Sequence, residues 1–482
     1  MTNKETIPNK KHIAVRTDAP ALPVPAGHRI PYGWKTIAVD RSDSGRATRL
    51  EWEGLPYASS SDKAYFRITV ASDVREEKKI EVRLARSGEA IGTFDIRYGY
   101  VTQIFEICFP TELLPAVAAE GLCLRMTEGE VPLWLFCESG QSGIPATLQP
   151  HILVAENGDK LGYFYEELKS TASIQPFGWL EGCVVDGLYQ LEQAYPGQGW
   201  LETFLDHMKL YFPQGDTLVM EDHFGHISDG AFYLDESTLP IAIIAQVWPD
   251  HPILDKATRY WSTTTHAITA EGCYTMAYPM TVIARLRSDP ELARQATRIL
   301  IERMEQLAEA DGLWQCYRPG SNADRYYNWA RAYAWYMLGI TRSLLNLRTF
   351  ADELEGLDAL EEEVRRVAIH ALGLQHSDGL WFCFVHEPHT EIDTSGSAGM
   401  AAALALGARH GILPDAAMKA ANRAYEGLQS YLTPDGLLGG VAQNNRGGEA
   451  LQKSGYRVIS QMAMGLMGQL AAEISRESKS GE

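Results

Sequence analysis

Hydrophobic and polar residues alternate along the first third of the chain. Residues 80–85 alternate between a branched aliphatic residue and a polar or small one, and residues 65–70 and 94–98 are rich in aromatic and β-branched residues. A period of two residues is typical of strands with one buried face. The Ser-Gly-Glu sequence at 87–89 separates two such runs as a hairpin turn would. The pattern predicts an antiparallel β-sandwich over residues 29–157.

From about residue 158 the period changes to three and four residues. Residues 292–307, 358–372 and 416–432 carry apolar residues at this spacing, and charged residues occupy the other positions. This pattern is typical of amphipathic helices that cover a common core. We therefore expect a mostly helical domain over residues 158–476.

A turn sequence recurs within the helical part. Asp-Gly-Leu is found at 311–313, 378–380 and 435–437, about every sixty residues. Each interval is long enough for two helices, so the recurrence indicates repeated helical hairpins. Five or six hairpins fit the available length. Six hairpins closed on themselves form an (α/α)6 toroid with a cup at one end, and an open helical solenoid is the alternative.

The two ends of the chain are predicted to lie outside these domains. Residues 1–28 are rich in proline and lysine and are expected to form an extended leader, and residues 477–482 a flexible tail. The leader has no apolar run long enough for a signal peptide, and the chain has none long enough to span a membrane.

Residues 328–336 concentrate aromatic side chains around one arginine. Trp329 and Trp335 flank Arg331. Two steps along an α-helix turn the chain by roughly 200°, so the three side chains converge only if the first one or two precede the regular helix. Indole faces stack on sugar rings and a guanidinium binds a carboxylate, which favours a site for a sugar acid. The alternative is a buried aromatic helix in which Arg331 forms a structural ion pair.

Charge and cysteine content narrow the classes of partner. The net charge of −19 argues against nucleic acid and anionic membranes as partners. The seven cysteines are scattered and form no CxxC pair, which favours reduced thiols in a cytoplasmic protein. Residues 221–230 hold three carboxylates and two histidines, but not at the spacing of a common metal motif. We therefore expect no metal ion and no other cofactor.

Two stretches resemble a known family of enzymes. Residues 377–400 contain Asp-Gly-Leu-Trp, Glu-Pro and Asp-Thr-Ser-Gly-Ser-Ala-Gly-Met, and they resemble the DGLW, DEP and ETSGTAM run of the unsaturated glucuronyl and rhamnogalacturonyl hydrolases. Residues 328–336 resemble the FWGRAIGWY run of the same family, with both tryptophans and the arginine at matching positions. The resemblance covers about residues 158–475. It implies an (α/α)6 barrel and a glycoside hydrolase.

The resemblance also implies catalytic carboxyl groups. In that family an aspartic acid on a WLDGLYMAEP helix protonates the C4–C5 double bond of an unsaturated uronic acid, water adds at C5, and the hemiketal collapses. The matching stretch here has no aspartate, and Glu271 is displaced by one residue when Pro279 is aligned. A second family aspartate corresponds to Asp235 or Glu236, in an ambiguous register. The catalytic candidates are therefore Glu271, Asp235 and Glu236, with a helix N-cap as the alternative role of Asp235.

Several other side chains are expected to contact the substrate. For Asp222 and His223 the alternative is a solvated polar turn. The glycine-rich loop 439–448 is a further candidate to wrap around the sugar. The predicted substrate-binding residues are Asp222, His223, Tyr274, Trp329, Arg331, Trp335, Trp381 and His386.

Three functions remain open at this point. The first is removal of a terminal unsaturated uronic acid from the non-reducing end of acidic oligosaccharides. The second is an exo-β-glucuronidase that hydrolyses a saturated uronic acid with a pair of carboxylates. The third is an inactive toroid that binds sugars or proteins. The sandwich is interpreted as support for the catalytic body or as a contact in a homodimer, with a carbohydrate-binding module as the alternative.

Overall fold

The alternating runs of the first third form strands. The structure, a computed structural model, describes residues 10–41, 47–56, 63–72, 76–138, 143–155, 158–318 and 325–480. The strands are β1 (Lys10–Ile13), β2 (Arg16–Asp18), β3 (Thr36–Val39), β4 (Thr48–Glu51), β5 (Lys63–Ser72), β6 (Glu77–Leu84), β7 (Ala90–Arg97), β8 (Ile104–Pro110), β9 (Leu122–Glu128), β10 (Leu133–Phe136) and β11 (His151–Val154), and helix α1 (Leu114–Glu120) precedes β9.

These strands form two antiparallel sheets. One has the order β1-β11-β5-β10-β3, with β8 also paired to β5, and the other has the order β2-β4-β9-β6-β7. The ring of Phe66 on β5 contacts the ring of Phe94 on β7 at 5.4 Å between centroids. Both side chains are buried. Apolar faces of the two sheets thus pack together, which supports the predicted sandwich.

The N-terminal segment differs from the predicted leader. Lys10–Ile13 pairs with β11 and Arg16–Asp18 pairs with β4, so this segment adds one strand to each sheet. Of the prolines that indicated an extended leader, those at 20, 23 and 25 come after both strands. Residues 1–9 lie outside the described part of the chain.

The remainder of the chain is mostly helical. The helices are α2 (Lys160–Leu168), α3 (Trp179–Ala194), α4 (Trp200–Tyr211), α5 (Ile241–Val247), α6 (Ile253–Thr263), α7 (Tyr278–Arg287), α8 (Pro290–Leu307), α9 (Ala330–Leu347), α10 (Leu357–Gly373), α11 (Thr394–Arg409), α12 (Asp415–Gln429), α13 (Gly448–Lys453) and α14 (Gln461–Ser480). Two short antiparallel pairs lie in the loops, β12 (Ala308–Glu309) with β13 (Gly312–Leu313) and β14 (Val441–Ala442) with β15 (Arg457–Val458). The last helix includes residues 477–480, which were expected in the tail, and residues 481–482 lie outside the description.

Every second helix packs into an inner ring. Helices α3, α5, α7, α9, α11 and α14 contact one another in this order, and α14 returns to pack against α3. The approach is close because glycines face each other there: a Cβ atom on Gly187 would lie 2.4 Å from the carbonyl oxygen of Gly465. This closure is consistent with the predicted (α/α)6 toroid and does not fit an open solenoid.

Candidate active site

A cavity of about 220 Å³ opens where the N-terminal ends of the inner helices meet. Its walls come from the start of α3, from the segments before α5 and α7, from the start of α9 and from the loop that follows β14. The lining residues are Trp179, His223, Phe224, Leu234, Glu236, Glu271, Trp329, Arg331, Trp335, Asn444 and Asn445. The cavity therefore combines indoles, two carboxyl groups and one guanidinium.

The three residues of the aromatic stretch converge as their spacing requires. Trp329 has extended backbone angles (φ −77°, ψ 123°), and α9 begins only at Ala330. The preceding residue, Asn328, has a left-handed φ of 57°, which turns the chain into the helix. Because Trp329 precedes the helix, it shares the cavity with Arg331 and Trp335. The prediction that the first of the three lies outside the regular helix is confirmed.

Arg331 is a buried cation that faces the cavity. It is 3% exposed, and its guanidinium lies over the ring of Trp329 at 4.8 Å. Its Nη2 atom donates to the carbonyl oxygen of Gln443. Its Nε atom has no hydrogen-bond partner among the described residues. A buried charge without full compensation is costly, so this side chain suits an anionic ligand better than the structural ion pair considered from the sequence.

Glu271 lies in the cavity wall, and its carboxyl group is hydrogen-bonded to Gln315. Both carboxylate oxygens accept hydrogen bonds from Nε2 of Gln315, at 2.8 and 2.9 Å. Burial raises the pKa of Glu271 above that of an ordinary glutamate, and the hydrogen bond from Gln315 and the charge of Arg331 oppose this rise. Because a raised pKa widens the pH range over which the proton is retained, Glu271 suits the role of a general acid.

A π-helical turn accounts for the displaced register of Glu271. Cys273–Ala277 forms this turn directly before α7. A π-helical hydrogen bond spans five residues instead of four, so the turn accommodates one additional residue. The chain has one additional residue between Glu271 and Pro279 relative to the resembling motif. The backbone thus absorbs the insertion while Glu271 still lines the cavity.

The two neighbouring acids Asp235 and Glu236 occupy different environments. Glu236 lines the cavity. Asp235 accepts hydrogen bonds from Nδ1 of His266 at 2.6 Å and from the hydroxyl group of Tyr260 at 3.1 Å, and it is not among the lining residues. Asp235 also does not cap the following helical turn, whose N-cap is Leu234. Of the two registers left open by the sequence, the geometry favours Glu236.

Tyr274 and Trp381 lie in the packed interior of the helical domain. Tyr274 is fully buried, donates to Asp186 at 2.5 Å and stacks under Trp335 with 6.0 Å between ring centroids. Trp381 is also fully buried, and its Nε1 atom donates to the carbonyl oxygen of Ala371 at 2.8 Å. Neither ring is among those that line the cavity, and the substrate contacts expected of both stay predictions.

Asp222 and His386 were also predicted to contact the substrate. Asp222 accepts the main-chain N–H groups of Phe224 and His226, each at 2.9 Å, so it shapes its own turn. His386 is exposed and lies 3.4 Å from a carboxylate oxygen of Glu387. Neither side chain lines the cavity.

His223, in the same turn as Asp222, does line the cavity. It is 9% exposed and its ring contacts that of Phe224 at 3.7 Å between centroids. The sequence offered either a sugar contact or a solvated turn for this residue, and its burial against aromatic rings excludes the solvated turn.

Sequence reasoning missed several residues of the site. Trp179 is the first residue of α3, and its ring contacts that of Trp335 edge to face at 5.9 Å. An aromatic residue at the start of an inner helix, as at Trp329, was the available signal. Gln315 directly follows one of the recurrent Asp-Gly-Leu-Trp turns, and Asn444 and Asn445 lie in the glycine-rich loop that was expected to wrap around the sugar.

No group of three or more His, Cys, Asp or Glu side chains suited to a metal ion is found in the described ranges. Across the same ranges, no helix combines the length and apolar character needed to cross a membrane.

Several solved structures share the fold. A possible member of family GH105 from Salmonella enterica aligns with 63% of this chain and 84% of its own, at 16% identity and a TM-score of 0.55. A family 105 glycoside hydrolase from C. acetobutylicum aligns with 65% of this chain and 99% of its own, at 19% identity and a TM-score of 0.54. A family 88 glycosyl hydrolase from Bacteroides vulgatus aligns with 66% and 96%, at 14% identity and a TM-score of 0.53. At these identities the likeness shows the fold alone.

A comparison with curated proteins gives no match. The sequence profile named Glycosyl Hydrolase Family 88 matches residues 163–475, which is more than half of the chain. The match includes five of the six inner helices, the sixth as far as residue 475, and every residue that lines the cavity. On this basis the chain is a glycoside hydrolase and belongs to glycosyl hydrolase family 88.

Proposed function

We propose that the enzyme removes a terminal Δ4,5-unsaturated uronic acid from the non-reducing end of acidic oligosaccharides. The observation that carries the proposal is the pairing of Arg331 and Glu271 in one indole-lined cavity. Arg331 is a buried cation available to a sugar carboxylate, and Glu271 is an acid with a raised pKa. The two groups interact electrostatically, so the cavity brings a carboxylate-binding group and a proton donor to the same sugar ring.

The reaction follows from these groups. Arg331 binds the sugar carboxylate while the indoles of Trp329 and Trp335 pack against the ring. Glu271 donates its proton to C4 of the enol ether. Glu236 accepts a proton from the water that adds at C5, which balances the proton delivered by Glu271. The resulting hemiketal opens and releases the rest of the oligosaccharide.

The presence of two carboxyl groups in the cavity also favours a second candidate. Glu236 and Glu271 are the kind of pair with which glycosidases hydrolyse saturated sugars. In this alternative the enzyme is an exo-β-glucuronidase. The two reactions differ in whether the C4–C5 double bond is present.

One pair of assays separates these functions. Oligosaccharides produced by a polysaccharide lyase lose the ultraviolet absorbance of their enol ether when the unsaturated unit is hydrated. We expect this loss with the native enzyme and its absence with Glu271→Gln. Release of the chromophore from a saturated aryl β-glucuronide without loss of enol-ether absorbance would establish the second candidate instead. If neither signal is obtained, both proposals fail, and the hypothesis of a toroid that only binds sugars or proteins remains.

We further propose that the enzyme acts in the cytoplasm. All seven cysteines have free thiols in the structure, including Cys108 at the surface, which suits a reducing compartment. Fractionation of the source cells followed by immunodetection tests this, and recovery of the protein only outside the cell would contradict it.

A further inference from the structure

One wall of the active-site cavity is supported by the N-terminal sheets and not only by the toroid. The wall is the segment 441–445, which carries Asn444 and Asn445. The support comes from the connection between β7 and β8, residues 98–103. Two residues of this connection, Tyr98 and Thr102, have left-handed φ values of 52° and 68°. Such angles are uncommon for residues other than glycine, so the surrounding contacts must hold this connection in shape.

Direct hydrogen bonds join the connection to the wall. Nδ2 of Asn444 donates to the carbonyl oxygen of Tyr98 at 2.7 Å. Nε2 of Gln443 donates to the carbonyl oxygen of Arg97 at 2.9 Å and to Oε1 of Gln103 at 3.2 Å. Each of these bonds links residues more than 300 positions apart in the chain.

The same wall holds the carboxylate-binding arginine. The main-chain carbonyl oxygen of Gln443 accepts from Nη2 of Arg331 and also from Nε2 of Gln452, the latter at 2.8 Å. Its position therefore determines how the guanidinium is directed into the cavity. The side chain of Gln443 is hydrogen-bonded to Gln103. Gln103, in the N-terminal domain, therefore acts on Arg331 through Gln443.

Burial makes this linkage stiff. Gln103 is fully buried and Gln443 is 1% exposed. Burial removes both amide groups from water, and the free-energy cost of this desolvation is offset only while the two amides are hydrogen-bonded to each other. The hydrogen bond between Gln103 and Gln443 is therefore strongly favoured. Small displacements of Gln443 are thereby opposed.

The opposite wall has a similar support. The turn that carries His223 and Phe224 is bound by Arg29, whose guanidinium donates to Asp229 at 2.7 and 2.8 Å and to Glu221. The main-chain N–H of Arg29 also donates to the carbonyl oxygen of Gly225 at 3.1 Å. Both supports come from residues before 163, where the family match begins.

We propose that Gln103 is a positioning residue of the active site, which orients Arg331 through Gln443 and so strengthens the preference for a substrate with a free carboxylate. The N-terminal domain is then part of the catalytic unit and not an independent sugar-binding module. The statement about carboxylate preference rests on the proposed function, whereas the statement about the wall does not.

The test compares two substitutions that each remove side-chain hydrogen bonds where the N-terminal part meets the helical domain. Gln103→Met removes the amide that holds Gln443. Thr147→Val is the matched control, because Thr147 accepts from Lys11 at 2.7 Å and donates to Glu167 at 2.9 Å, and none of the three lines the cavity. Gln103→Asn, which withdraws the amide by one methylene group, serves as the second variant if Gln103→Met does not fold.

The first readout is the ratio of kcat/KM for an unsaturated uronic acid disaccharide to kcat/KM for its methyl ester. We expect Gln103→Met to lower this ratio about tenfold, because the ester offers no charge to a misdirected Arg331, and we expect Thr147→Val to leave the ratio unchanged. A general loss of stability would lower both rates and leave their ratio as it was. Equal ratios in both variants and the native enzyme would overturn the proposed effect on specificity.

The second readout needs no substrate. Amide hydrogen exchange of the segment 441–445, followed by mass spectrometry, is expected to accelerate in Gln103→Met and not in Thr147→Val. If the native enzyme is inactive on every uronic acid substrate, the proposed function fails and the exchange rates alone decide the positioning role. Unchanged exchange in Gln103→Met would show that the N-terminal domain does not hold this wall.

Discussion

Glu271 combines a raised pKa with hydrogen bonds that favour its charged form. Burial raises the pKa, while Gln315 and Arg331 oppose the rise. If the protonated form is the catalyst, activity is present below this raised pKa and falls as the pH increases through it. The alkaline limb of the pH profile therefore reports the pKa of Glu271.

Substitution of Gln315 by leucine is expected to move that limb. The amide of Gln315 stabilises the carboxylate, so Gln315→Leu raises the pKa of Glu271 further and shifts the alkaline limb of kcat/KM to higher pH. The measurement is the pH dependence of kcat/KM for both enzymes. A shift to lower pH, or no shift, would contradict the assignment of Glu271 as the acid.

Two of the three candidate carboxyl groups, Glu271 and Asp235, are expected to differ in their effect on the rate. Glu271→Gln removes the proton donor and is expected to lower kcat by about 10²–10⁴. Asp235→Asn disturbs only the contacts with His266 and Tyr260 and is expected to change kcat/KM by less than about tenfold. Comparable losses in both variants, with melting temperatures close to that of the native enzyme, would return Asp235 to the catalytic set.

At the scale of an element, the π-helical turn before α7 is held by the neighbouring helix α9. A Cβ atom on Gly339 would lie 2.2 Å from the carbonyl carbon of Cys273 and 2.5 Å from the nitrogen of Tyr274. Only glycine allows this approach. The turn that sets the position of Glu271 is thus packed directly against the backbone of the helix that carries Arg331.

Gly339→Ala is expected to displace this turn. Overpacking against backbone destabilises by about 1–3 kcal/mol, and the displacement of Glu271 is expected to lower kcat in addition. Gly373→Ala is the control, because a Cβ atom there would meet nothing within 4 Å. Thermal unfolding and kcat are measured for both variants. Native kcat in Gly339→Ala would show that the turn does not control the acid.

Much of the element level could be predicted from the sequence. Periodicity separates the β-rich from the helical part, and the spacing of Trp329, Arg331 and Trp335 requires that a helix begin between them. The π-helical turn could not be predicted, because its residues have ordinary helical character and only their register against Pro279 is unusual. The position of Trp381 outside the cavity lining could not be predicted either, because a motif fixes position along the chain but does not show which way a ring points.

At the scale of the whole molecule, a buried ion pair joins the sheets to the toroid. Arg67 on β5 is fully buried, and its Nη1 atom donates to both carboxylate oxygens of Asp435 at 2.8 and 2.7 Å. Asp435 belongs to the third recurrent Asp-Gly-Leu turn. Burial raises its pKa, but the charges of Arg67 and Lys11 outweigh this and hold the pKa of Asp435 below its usual range.

Asp435→Asn is expected to destabilise the enzyme by about 3 kcal/mol, because buried Arg67 then keeps only Glu106, whose side chain is 30% exposed, as a counter-charge. Since the folded-state pKa is lowered, the pair stabilises the native state above about pH 4, and this contribution is lost as the pH falls further. Asp378→Asn is the control, as the equivalent side chain of the second turn is 43% exposed. Denaturant unfolding at pH 7 measures both, and equal losses would contradict the special role of Asp435.

The relation between the two domains was beyond the reach of the sequence. The repeated Asp-Gly-Leu sequence does not distinguish Asp435 from Asp378, because a repeat does not show which of its copies contacts another domain. Likewise, nothing in the sequence around Gln103 or Gln443 predicts that the two glutamines contact each other. Their pairing depends on contacts over 340 residues, which only the folded chain brings together.

The closure of the inner ring through α3 and α14 has a consequence for synthesis. Helix α14, which packs against α3, is synthesised after the other five helices of the inner ring, so the ring stays open until α14 has been made. During this time the apolar faces of the inner helices lack their final neighbour, and closure requires contacts between residues 187 and 465. The N-terminal sheets can fold earlier, but the toroid is completed only once α14 has been synthesised. The nascent chain therefore passes through a long interval in which its future core is open to aggregation and to chaperones.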